Sequence, residues 1–138
     1  MNRNRALAIG VAATLAASFL WHAPGGAGER FAGTIERTMR STLDHYEMQS
    51  VSARLQRSPL TRRLLLDGPA DAFQRSEITR IALEVPGLGS AHWPGPRKPP
   101  RALPLLAEVM LMALAAFAIG VVLAYIAALR RRSREAFG

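Results

Sequence analysis

Cysteine is absent from the 138 residues, so disulfides and thiolate metal sites are excluded. Lysine is almost absent: of 18 basic residues only Lys98 is not arginine. Histidine is limited to His22, His45 and His92, which are scattered, so no metal site and no metal cofactor is expected. There is no glycine-rich phosphate loop, no paired-histidine zinc motif and no nucleophile elbow, and hence no catalytic residue to nominate. The acid–base reading of Asp44 and His45 yields to a plain solvated helix face. An enzyme is not expected. The arginines are not interleaved with stacking aromatics, which argues against a nucleic-acid partner despite a formal charge of +8.

The longest absence is of charge itself. From Val109 to Leu129 no residue is charged, and Arg130, Arg131, Arg132 and Arg134 follow directly. As a helix, those residues cover about 31 Å, the hydrocarbon thickness of a bilayer. No polar stripe interrupts the run, so a soluble amphipathic helix is excluded. Residues 104–130 therefore read as a transmembrane helix, with 131–138 as a basic tail. Glu108 falls in the first turn, where the helix dipole favours an acid at the outer interface over an intramembrane proton site.

A shorter apolar stretch, Ala6–Trp21, follows Arg3 and Arg5. Residues 1–23 fit a signal-anchor helix, with Trp21 and His22 at the interface. The same stretch fits a signal-peptide core, with cleavage after Ala27 as the alternative. Arginines at both ends place both termini in the cytoplasm and export the middle of the chain. Small residues recur every fourth position at Ala8, Ala12 and Ala16, and again at Ala116, Gly120, Ala124 and Ala128. The second set is the candidate helix-packing seam, since small side chains let backbones approach closely in lipid.

Between the spans lies one small domain. Residues 24–30, rich in glycine, read as a flexible tether. Phe31, Ile35, Met39, Leu43 and Tyr46 make one helical face, with Glu36 and Arg40 as an i,i+4 pair opposite. Val51–Arg57 alternates as a half-buried strand, Ser58-Pro59 turns the chain, and Arg62–Leu66 pairs back as a second strand. Asp71 and Gln74 form a capping box that starts a second helix, whose apolar arc takes in Phe73, Ile78, Ile81 and Val85. Pro86-Gly87 ends it before a short strand within Leu88–Trp93. The expected fold class is α+β: a helix–strand–strand–helix–strand domain with a three-stranded sheet, both helices on one face, plus two transmembrane helices. Pro94, Pro96, Pro99, Pro100 and Pro104 make residues 94–103 an extended spacer of up to about 30 Å. Arg97, Lys98 and Arg101 in that spacer are candidate contacts for lipid headgroups.

Leu65-Leu66-Asp67-Gly68-Pro69-Ala70, the helix after it, and Pro86-Gly87-Leu88 together resemble a BON domain, a family of bacterial envelope proteins. In that family a hydrophobic strand ends in glycine, a helix follows, and a Pro-Gly-Val-like turn leads into a strand. Gly68 matches the family glycine; Pro86, Gly87 and Leu88 match the turn, with leucine where valine is usual. The resemblance covers residues 31–93. Pro59 in the hairpin and the paired spans depart from it, since many members are soluble or lipid-anchored. What it implies is a non-catalytic module binding phospholipid surfaces or envelope proteins. In this chain it would sit on the periplasmic face of the bacterial inner membrane. The alternative is an accessory subunit of a larger inner-membrane complex, with membrane or envelope proteins, or a second copy, as partner.

Overall fold

A computed structural model describes residues 2–96 and 99–136. The fold is mixed α+β, with four helices and one three-stranded sheet among the described residues. In order these are α1 (Arg3–His22), α2 (Ala27–His45), β1 (Ser52–Arg57), β2 (Leu60–Asp67), α3 (Ala72–Glu84), β3 (Ser90–His92) and α4 (Leu105–Ala136). β2 is the central strand, antiparallel to β1 and parallel to β3. Both α1 and α4 are long and apolar enough to cross a membrane.

The domain core follows from periodicity. Ala32, Ile35, Met39 and Leu43 lie three or four residues apart on α2 and are all buried. Ile78 and Ala82 do the same on α3. They meet Leu55, Leu64 and Leu66 of the sheet, and the cross-strand pairs Leu55–Leu64 and Ala53–Leu66 set that face. Each large apolar side chain so buried contributes about 1.5–3 kcal/mol. Arg54, Leu65, Ser90 and His92 alternate onto the other face.

Local chemistry fixes the ends. The Asp71 carboxylate accepts from the Gln74 backbone N–H at 2.8 Å, and Gln74 Oε1 accepts from the Asp71 N–H at 2.9 Å, so the capping box forms. Gly68 ends β2 at φ +136°, and a Cβ there would stand 2.6 Å from the Ser50 carbonyl oxygen. Gly87 turns the chain after α3 at φ +101°, against the Phe31 ring. Both positions require glycine for conformation and for space.

Several expectations are corrected. The glycine tether is short: α2 already begins at Ala27, and Gly28 is buried where a Cβ would crowd Leu60 and His22 at 3.0 Å. Close approach, not flexibility, explains that glycine. Glu36 does not pair with Arg40. It accepts from the Leu55 backbone N–H at 2.9 Å and meets Arg57 Nη2 at 2.9 Å, because α2 lies against β1. Arg57 also reaches Glu29, and these bonds, to Glu36 first and then to Glu29, raise its pKa above the ordinary value. Arg40 approaches Asp44 instead, at 4.0 Å. Phe73 is not core but 74% exposed, since it sits in the first turn of α3 about 140° round the helix from the buried Ile78. β2 starts at Leu60, two residues early, and β3 is only three residues long.

The proline-rich spacer does not hold the domain away from α4. Trp93 docks on α3, donating to Arg75 O and Thr79 Oγ1 at 3.2 Å each, under the Arg75 guanidinium. Further on, the Pro100 carbonyl accepts from Arg63 Nη2. Trp93 and Pro100 thus both lie against the domain, and α4 starts beside β2 with Leu105 buried.

α1 and α4 pack on one another. Phe117 lies over Gly10, where a Cβ would come within 2.7 Å of the ring. His22 at the end of α1 and Glu108 at the start of α4 both lie near the start of β2, so the two helices run antiparallel. Thr14 and Ser18 return their hydroxyl hydrogens to the carbonyls of Gly10 and Thr14 at 2.8 Å, which satisfies both within the helix.

Candidate functional site

Two surfaces have the shape of binding sites, one at each end of the domain. The first lies where the domain meets α4. The first half of β2 carries the doublet Arg62-Arg63, so one arginine turns toward α4 and the other away from the α2–α3 core. Arg62 Nε stands 2.6 Å from Glu108 Oε2, a charge contact rather than an aligned hydrogen bond, as that Nε has no hydrogen-bond acceptor. Both side chains are partly exposed, so the pair contributes at most about 1 kcal/mol and serves mainly to position. Arg63 is 7% exposed, held by Gln56 Oε1 at 3.2 Å and by the Pro100 carbonyl. With Gly89, Ser90, Arg101, Ala102 and Leu103 these residues enclose a cleft of about 270 Å³. Arg101 is exposed at its rim.

The second is a groove of about 290 Å³ between the end of α2 and the start of α3. Met39, Leu43, Tyr46, Met48, Phe73, Ile78 and Ile81 make it apolar, with Gln74, Glu77 and Arg80 along one rim. Arg80 is fixed there by Glu77 at 2.9 Å and Glu84 at 2.8 Å, and its bond to Glu77 raises its pKa. The α2 residues that line this groove, Met39 to Leu43, lie about 18–24 Å along the helix from its first residue, the end nearer α1.

The residues singled out from sequence separate into three groups. Gly68, Pro86, Gly87 and Leu88 lie at the two turns that bracket α3, and the two glycines carry the positive φ. They shape the domain and line neither surface. Ala116, Gly120, Ala124 and Ala128 are all exposed, with open space where a Gly120 Cβ would project. Ala8, Ala12 and Ala16 are exposed as well; the α1–α4 contact uses Gly10 and Phe117 instead. Of the three headgroup candidates, Arg101 joins the cleft, while Arg97 and Lys98 lie outside the described residues.

Sequence reasoning passed over Arg62, Arg63 and the Phe73–Tyr46 groove. A signal existed for the first pair: an arginine doublet opening a strand, and one acid heading an apolar run. No local signal brings them together, since β2 and α4 are joined only by tertiary contact. Among the described residues, no three histidine, aspartate or glutamate side chains gather as metal ligands would. No family model matches the chain, and neither does any curated protein or solved structure.

Proposed function

We propose that this chain is a membrane-anchored binding module of BON type. Its domain, residues 31–93 with the first turn of α2 added, stands on the periplasmic face of a bacterial inner membrane and binds phospholipid or envelope proteins. The observation that carries the reading is the junction. Both apolar helices meet the domain at the start of β2, so the domain is seated on its two anchors and its apolar groove is turned outward. The α2–β1–β2–α3–β3 order, with glycine at the end of β2 and Pro-Gly-Leu after α3, supports the resemblance to that family. No catalytic chemistry is assigned to it.

Topology is the direct test. A reporter active only in the periplasm should be silent when fused after residue 138 and active when fused after Gly95, because arginines flank both outer ends of the spans. Activity of the carboxy-terminal fusion would overturn the placement.

A second reading has its own observation. The open stripe Ala116–Gly120–Ala124–Ala128 favours an accessory subunit whose α4 packs on a partner helix. An autonomous module purifies alone or as copies of itself in mild detergent, whereas a subunit brings other chains with it.

A further inference from the structure

We infer that the cleft of Arg62, Arg63, Arg101 and Glu108 binds the phosphodiester headgroup of an anionic phospholipid, in the leaflet beneath the domain. The inference rests on the two-span reading, and it names the ligand and the residues.

Depth comes first. Gly10 and Phe117 are in contact, and from there Trp21 lies eleven residues up α1 and Leu106 eleven residues up α4. At about 1.5 Å per residue both stand roughly 16 Å above the contact, so they are level, with Glu108 about 3 Å deeper. Trp21 is 68% exposed, with the Arg30 guanidinium 5.8 Å from its ring centre. An exposed tryptophan beside an arginine at a span's end marks the headgroup plane. The cleft opens at that plane.

Chemistry comes second. Three guanidinium groups face one carboxylate, so the cleft is left with an excess of positive charge. Arg62 meets Glu108 through Nε alone and is partly exposed, and Arg101 is exposed. Guanidinium forks match phosphate oxygens, and the buried Arg63 fixes the floor of the cleft. A volume of about 270 Å³ is below the roughly 300–1,000 Å³ of sites that enclose a drug-sized ligand. It suits a headgroup whose acyl chains stay outside. Below Glu108 on the same helix face, Leu111, Met112 and Ile119 are exposed and apolar, a surface for those chains.

The test uses the full chain, purified in detergent with mixed phosphatidylglycerol and phosphatidylcholine, with retained lipid weighed by native mass spectrometry. Wild type should retain phosphatidylglycerol in preference. Arg101→Gln and Arg62→Gln should each lower that preference about fivefold, the worth of one cation near a lipid surface. Arg37→Gln, the same charge change on the outer half of α2, should leave it unchanged. Equal retention of the two lipids by wild type, or Arg101→Gln behaving as wild type, overturns the inference. Inorganic phosphate that displaces phosphatidylglycerol supports the shared phosphate chemistry. Phosphate binding without any lipid preference makes the ligand a soluble anion and overturns the lipid assignment. Alkaline carbonate extraction separates the two layers of the argument. Release of the chain from membranes defeats the two-span reading itself, while a retained chain without lipid preference defeats only the cleft.

Discussion

On the two-span reading, Leu64 in β2 and Leu123 in α4 are the same residue in two solvents. Leu64 is 0% exposed, enclosed by α2, α3 and its neighbouring strands; Leu123 is 60% exposed. The domain hides its apolar residues at every third or fourth position of a helix and every second of a strand, because water is its surround. α4 packs on α1 along one side and exposes Leu111, Met112, Ile119, Val122 and Leu123 elsewhere, the pattern expected of a helix long and apolar enough to cross a membrane, where lipid tails are as apolar as leucine. Glycine divides in the same way. Gly68 has backbone 2.6 Å from its missing Cβ, while Gly120 has nothing within 4 Å. At Gly68 the missing side chain answers to a neighbour already present; at Gly120 it answers to none among the described residues.

The sharpest way to break that comparison is to make one truncation in both regions. Leu64→Ala should destabilise the domain by about 3 kcal/mol, within the 2–5 kcal/mol usual for an enclosed leucine. Leu123→Ala should change domain stability by less than about 0.5 kcal/mol, as exposed positions do. Thermal unfolding of the full chain in one detergent, followed by the circular dichroism of the domain, measures both. Equal effects would mean that α4 is enclosed by protein and that the two-solvent picture is wrong. Next in size is Gly68→Val. Its φ of +136° is hostile to a β-branched residue, and its Cβ would strike Ser50 O, so a loss of about 2–3 kcal/mol is expected. An unchanged melting temperature would show that the turn after β2 tolerates another conformation.

What was legible in sequence was local. The capping box of Asp71 and Gln74, the turn at Gly68, the core face Ile35–Met39–Leu43 and the uncharged run of α4 all follow from spacings of a few residues. What was not legible was set by distant segments. Glu36 had a helical neighbour in Arg40, yet β1 supplied Arg57 and a backbone N–H. Gly28 looked like slack and is a contact with Leu60. Phe73 fell within a broad apolar arc of α3, but the sheet buries only the narrower face of Ile78 and Ala82. The prolines of the spacer do preclude helix, yet whether an extended segment leaves the domain or lies back on it depends on Arg63, thirty-seven positions from Pro100. The junction cleft is invisible in sequence for the same reason.

The smallest effect on the fold, and the most informative about function, belongs to Gly120→Ile. Among the described residues nothing stands within 4 Å of a Gly120 Cβ, so unfolding of the domain should be unchanged. Isoleucine is apolar, so insertion of α4 should not suffer either. If another helix packs on the stripe, the added side chain holds the backbones apart and weakens association by about 1 kcal/mol or more, since close packing and dispersion hold helices together in lipid. Gly10→Ile provides the internal comparison: that side chain meets Phe117 and should loosen α1 from α4 without touching the stripe. Val122→Ile, exposed on the opposite face of α4, is the neutral control. Crosslinking in mild detergent, with itself or with co-purified chains, measures association for all three. Wild-type association by Gly120→Ile would assign the stripe to an alanine-rich composition facing lipid, and the subunit reading would lose the feature that favours it.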